Sequence, residues 1–152
     1  MKKLLLLFAL VLTVCGTAMA EDGPAKNEIW YTSSDGQIVT PNDQTAFGGA
    51  NIVSNEYDEG KGKGCITFDR ELTSIGLMAF YKCSSLTSIT LPSGVTSIGN
   101  YAFYNCSSLS SITLPNGVTS IGTSAFFACT NLTSITLPDE LKTTGGMAFA
   151  IK

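Results

Sequence analysis

Hydrophobic and polar positions along most of this chain recur at one fixed period, the step that leads from Ile66 to Ile89. Ile66, Ile89, Ile112 and Ile135 form one column, Gly76, Gly99, Gly122 and Gly145 a second, and Phe80, Phe103, Phe126 and Phe149 a third. Within one unit, Leu86, Ile89 and Leu91 are interleaved with Thr87, Ser88 and Thr90. That pattern predicts a strand with one face in a core and the other in solvent. Pro92 ends the strand and Ser93-Gly94 turns the chain. Val95 and Ile98 point inward again, Gly99 permits a tight bend, and Ala102, Phe103, Cys106 and Leu109 close the unit. The segment after Gly99 is too short for a long helix and predicts a turn or two of helix or 3₁₀ structure.

A unit of this length cannot bury its own apolar face, so the period predicts a stacked solenoid. Its strands form a parallel sheet on the concave face, with the helical turns on the convex face. The units run 63–85, 86–108, 109–131 and 132–152, the last stopping where a Cys is expected. Residues 21–62 predict a polar leader and a small β-rich N-terminal cap. Glu28 to Tyr31 and Gln37 to Thr40 read as a hairpin around Ser33-Ser34-Asp35-Gly36. Ile52-Val53 and Ile66-Thr67-Phe68 continue the β pattern, with a flexible turn from Gly60 to Gly64. Trp30, Tyr31 and Phe47 are the apolar residues expected to cover the first coil; a ligand site around Trp30 is the less favoured reading.

The pattern L-x-x-I-x-L-P-x-x-V-x-x-I-G-x-x-A-F-x-x-C-x-x resembles the leucine-rich repeat of the BspA type, with the same repeat length, over residues 63–152. Glu28-Ile29-Trp30-Tyr31 and Ala50-Asn51-Ile52-Val53 resemble the segment that often precedes such repeats. The resemblance implies a bacterial surface or secreted protein that binds extracellular partners, host matrix proteins among them. It brings no catalytic residue and no cofactor.

The N-terminus agrees with that address. Lys2 and Lys3 precede an apolar run from Leu4 to Val14, and Ala18-Met19-Ala20 is a small-x-small cleavage site, so residues 1–20 read as a signal peptide cut after Ala20. A lipid anchor at Cys15 is the rival, disfavoured by Val14 beside the cut. The apolar run falls short of the roughly 20 residues that span a bilayer, so the mature protein is not expected to cross a membrane. Loss of Lys2 and Lys3 takes the net charge from −3 to −5, and no charged residue lies between Cys83 and Pro138. Nucleic acid, which needs clustered Lys and Arg, is not an expected partner.

The chain has no His, which removes the commonest general base and most zinc sites. Asp58-Glu59 and Asp139-Glu140 read as solvated surface, and nothing matches a calcium loop, although Asp35 or Asp58 offers a weak calcium contact. No enzyme, metal site or cofactor is expected. Two repeated surfaces remain. The first is the exposed sheet face, carrying Thr87, Ser88, Thr90, Ser110, Ser111, Thr113, Thr133, Ser134 and Thr136. It reads as a polar face for an extracellular protein or glycan; residue types that merely suit exposed strands are an equal alternative. An ice-binding use of the Thr array is disfavoured by the expected curvature. The second is an aromatic column, Tyr81, Tyr104 and Phe127, expected to pack on itself more than on a ligand.

Cys83, Cys106 and Cys129 should stack as small buried hydrophobes, three equivalent positions that cannot all pair. One period back from Ser88 lies Cys65, which predicts an exposed thiol. That thiol and an open strand edge at Ile135–Leu137 predict self-association. The favoured function is a secreted or cell-surface, adhesin-like interaction module; a structural spacer or truncated fragment is the alternative.

Overall fold

The computed structural model describes residues 23–150, so the signal peptide and the Cys15 reading lie outside the described residues. Two sheets are present. The first has five strands: β1 (Glu28–Ser33), β2 (Ile52–Asp58), β3 (Lys63–Phe68), β5 (Leu86–Thr90) and β7 (Ser111–Thr113), in the order β2-β3-β1-β5-β7. The second is a ladder of two-residue strands, β4 (Ser74–Ile75), β6 (Ser97–Ile98), β8 (Ser120–Ile121) and β9 (Thr143–Thr144).

Successive repeats pair in parallel at the sequence period. Ile89 lies beside Ile112 in the first sheet, and Ile75, Ile98, Ile121 and Thr144 follow one another in the second. Leu86, Ile89, Leu91, Val95, Ile98, Phe103 and Cys106 are all buried, and so are their equivalents one repeat later. The Phe column is one continuous stack. Phe80, Phe103, Phe126 and Phe149 lie within 5° of parallel, with centroids 5.3–5.7 Å apart. Phe47 meets the head of this stack edge-on at 5.9 Å from Phe80, covering the first ring as the sequence suggested.

The predicted helical turns are not seen: no helix occurs among the described residues. The backbone donors that a helix would turn inward are bonded sideways to the next repeat. The N–H groups of Tyr101, Phe103 and Asn105 reach the carbonyls of Thr123, Ala125 and Phe127, and the neighbouring repeats do the same. Left-handed residues at φ 52–58° recur in this segment (Met78, Lys82, Tyr101, Asn105, Ser124 and Ala128) and break any helical run. The Gly column also works differently from expectation. Gly99, Gly122 and Gly145 do not take positive φ; a Cβ on any of them would lie 2.6 Å from the carbonyl carbon of the preceding glycine in the column. Bare backbone lets consecutive repeats approach.

The cap departs further from the sequence reading. Glu28–Ser33 is a strand, but Gln37–Thr40 is not, and no hairpin joins them. β1 is antiparallel to β3 on one side and to β5 on the other, so both its edges are taken. β2 and β3 form the hairpin, closed through the glycine-rich turn. The Tyr31 ring packs over Gly64, where a Cβ would collide with it, and its hydroxyl donates to Asn55 Oδ1 at 2.7 Å.

Because β1 inserts ahead of β5, β3 is not the preceding rung of the parallel ladder, and counting back by one period misplaces Cys65. That thiol is buried, between Trp30 and Glu56 on the flanking strands. Ile135–Leu137 is not a strand either: Ile135 is partly buried, Leu137 is 42% exposed, and the segment makes no ladder with β7. Both geometric premises for Cys65-linked, edge-paired self-association are thereby lost.

Candidate ligand-binding face

The outer face of the first sheet is built by alternation. Ile89 and Ile112 turn inward, which turns Ser88 and Thr90 of β5 and Ser111 and Thr113 of β7 outward in matched rows. Thr113 and Ser111 are exposed, whereas Thr90 and Ser88 are half-buried. Thr87 and Ser88 share one partner: the Thr32 hydroxyl lies 2.6 Å from both of theirs. Ser110 is exposed, and its hydroxyl donates to the Thr87 carbonyl at 3.2 Å. Thr133, Ser134 and Thr136 are exposed but lie outside the strand ladder. Of the nine hydroxyl residues read from the sequence, the structure thus sets four in register, ties Thr87 and Ser110 into local bonds, and leaves three on an irregular segment.

The sequence missed the other half of this face. The antiparallel register of β1 places Trp30 opposite Thr90 and Thr32 opposite Ser88, so the hydroxyl rows continue onto the cap. Beyond β1, Lys63 of β3 is exposed on the same side, whereas Cys65 and Thr67, which also point that way, are buried. Trp30 is half-buried, and its indole N–H donates to Glu28 Oε2 at 3.1 Å. A strand's alternation is visible in sequence, but the strand it will pair with is not.

A second small-residue surface was not singled out in the sequence. Ser97, Ser120 and Thr143 line a groove of about 520 Å³ that follows Gly99, Gly122 and Gly145. The aromatic column packs on itself as expected: Tyr81, Tyr104 and Phe127 are stacked with centroids 5.2 Å apart.

Chemistry that would support catalysis or metal binding is sparse. No group of three or more His, Cys, Asp or Glu side chains is placed to hold a metal ion among the described residues. Asp35 accepts the Gln37 N–H at 3.0 Å and Asp58 accepts the Lys61 N–H at 3.1 Å, so each carboxylate closes its own turn. The Lys61 N–H also holds the Asp58 carboxyl below its ordinary value. The Cys106 and Cys129 thiols are buried and donate to the carbonyls of Phe80 and Phe103, both at 3.0 Å. Cys83 is half-buried against the Thr40 carbonyl. Burial raises all three thiols, Cys83 and Cys129 to about 11 and Cys106 further. Such thiols are poor nucleophiles at neutral pH.

The family model for the BspA type leucine rich repeat region matches residues 51–151, in six copies. The chain belongs to the BspA-type leucine-rich repeat family. Solved leucine-rich repeat structures resemble it. The T. pallidum leucine-rich repeat protein TpLRR is 38% identical with a TM-score of 0.50, over 51% of this chain and 36% of that one. A leucine-rich repeat protein from Bacteroides ovatus is 39% identical with a TM-score of 0.52, over 64% of this chain and 23% of that one. The chain therefore spans well under half the length of either. No curated protein matches it. Membership in the BspA-type family accounts for the columns that set the fold: the LP, IG, AF and C positions are core, close-approach or turn positions. The outward residues are not fixed by those columns, so any recognition is written in them.

Proposed function

We propose that this chain is a non-catalytic binding module of the bacterial cell surface or secreted space, and that the outer face of its first sheet receives an extracellular ligand. In this reading the repeats stack as a short solenoid with that sheet on the concave side. One observation carries the proposal: Ser88 with Ser111 and Thr90 with Thr113 stand in register on the outer face and run on into Thr32 and Trp30. Such a face offers donors and acceptors at fixed spacing on rigid strands, with little side-chain entropy to lose on binding. The absence of charge from Cys83 to Pro138 favours a partner recognised by hydrogen bonding and shape over one recognised by charge.

The test is binding of the chain from Glu21 onward to extracellular-matrix and glycan arrays. Ser111→Lys with Thr113→Lys should abolish binding to whichever spots respond, while circular dichroism and the melting temperature stay close to wild type. Unchanged binding by the double variant would remove the sheet face from consideration.

A further inference from the structure

We propose that the recess beside Trp30 is a subsite for a neutral saccharide, with the indole as its stacking platform. The proposal rests on the outer sheet face being the binding surface and names a ligand class for one part of it. Trp30 is the only tryptophan of the chain. Its neighbour Tyr31 points the other way and is 2% exposed, doing the covering of the core. Trp30 stays half-buried on the outer face, opposite the buried Cys65, with part of its ring left to solvent.

The ring is held in place. Its one polar group donates to Glu28, a residue only 6% exposed, so the indole cannot swing without stranding a buried carboxylate. What Trp30 then presents is apolar ring surface with its own hydrogen bond already made. Thr32, Ser88, Thr90 and Lys63 line the recess with it, giving hydroxyls and an ammonium around an aromatic wall. An aromatic face is electron-rich and attracts weakly positive C–H groups, while polar groups at the rim fix orientation. A pyranose ring fits both demands: C–H groups on one face, hydroxyls around its edge. The recess holds about 70 Å³. With about 30 Å³ per water, that is room for a hydroxymethyl or acetamido substituent, the sugar ring lying across the indole outside it.

Charge selects against an acidic ligand. Glu28 on β1 and Glu56 and Asp58 on β2 share this face with Lys63, by the register of β1, β2 and β3. Asp58 is paired with the Lys61 ammonium at 3.3 Å, which leaves Glu28 and Glu56 against Lys63; that net negative charge opposes a sialylated, sulfated or phosphorylated sugar and leaves a neutral one unopposed.

The test is titration of the mature chain with cellotriose, maltotriose and chitotriose, with sialyllactose as the anionic control. Trp30 emission reports occupancy directly, because no other tryptophan contributes, and calorimetry measures the same binding in variants. At least one neutral trisaccharide should shift the emission at millimolar concentration, and sialyllactose should not. Trp30→Ala should weaken the calorimetric affinity at least about tenfold, equivalent to about 1.4 kcal/mol. Trp30→Phe keeps an aromatic wall and should retain most of it, which separates lost stacking from lost folding. Thr90→Val, nearly isosteric, should weaken binding severalfold with an unchanged melting temperature. An emission spectrum indifferent to all three neutral sugars, unaltered affinity in Trp30→Ala, or binding of sialyllactose alone would overturn the proposal. Should the arrays respond and Ser111→Lys with Thr113→Lys abolish that response while no saccharide reaches Trp30, the sheet face stands as the binding surface for a protein and this subsite falls.

Discussion

A Cβ on Gly122 would lie 2.6 Å from the carbonyl carbon of Gly99 and 2.5 Å from the amide nitrogen of Asn100. That distance is forced by the parallel pairing of Ile98 with Ile121, one residue earlier in each repeat. Gly117 is the contrasting case: the nearest atom to a Cβ there is 3.8 Å away and its φ is not positive.

Gly122→Ala is therefore expected to destabilise by about 1–3 kcal/mol, since backbone on the neighbouring repeat must move. Gly117→Ala is expected to stabilise by about 0.4–1 kcal/mol, by restricting the unfolded chain at no cost to the folded one. Urea unfolding of the two single variants compares them directly. Equal effects would show that the close approach at the Gly column is relieved by small shifts.

Phe103 stands inside the ring stack, with Phe80 at 5.4 Å on one side and Phe126 at 5.3 Å on the other. Removing it leaves a void between two rings whose backbones are fixed by the sideways hydrogen bonds, so collapse is opposed. Phe103→Ala is expected to cost about 3–5 kcal/mol. Phe103→Leu should cost appreciably less. Denaturant midpoints at unchanged slope would confirm that stability, rather than the folded ensemble, has changed.

The thiols give a prediction with a sign. Cys83 and Cys129 have folded-state values raised by burial from 9.0 to about 11. A group with a raised folded value contributes stability that is complete below its unfolded value. Stability should therefore hold up to pH 9.0 and fall as pH rises through about 11. At neutral pH, Cys106 and Cys129 should resist a thiol reagent until the protein unfolds, and half-buried Cys83 should react first. Rapid native labelling of Cys106 would contradict its burial.

These outcomes follow from columns that were legible in the sequence, because a buried position repeated in every coil leaves its mark again and again. Phe103, Cys106 and Ile98 needed no structure to be placed inside. What was not legible occurs once. The β1–β5 pairing is antiparallel and has no repeat, so nothing in the sequence said that Trp30 would stand beside Thr90, or that Cys65 would lie buried next to it rather than in solvent. The turn segments were misread for a different reason. Met78, Tyr101 and Ser124 share a left-handed backbone with no residue type in common, so that column carries no compositional signal.

Asp69 closes the cap, and its titration should be visible in stability. Its Oδ1 accepts the backbone N–H of Asn51 at 2.9 Å and its Oδ2 accepts the Asn51 amide at 2.8 Å, tying the entry to β2 against the exit from β3. Those two bonds, with Arg70 beside them, lower its folded value from 3.8 to about 2. A depressed carboxylate contributes stability that is present above its unfolded value and is lost as pH falls through its folded one. The melting temperature should therefore drop between pH 3.8 and about 2. Asp69→Asn keeps a carbonyl for the Asn51 N–H but removes the charge. It should melt lower than wild type at neutral pH and show a shallower fall in that acid window. Some slope must survive, because the Asp43 carboxyl is also held down, by the Thr45 hydroxyl and N–H. Melting curves of wild type and Asp69→Asn at matched ionic strength measure the difference, and identical acid slopes would mean that the Asp69–Asn51 clip does not persist in solution.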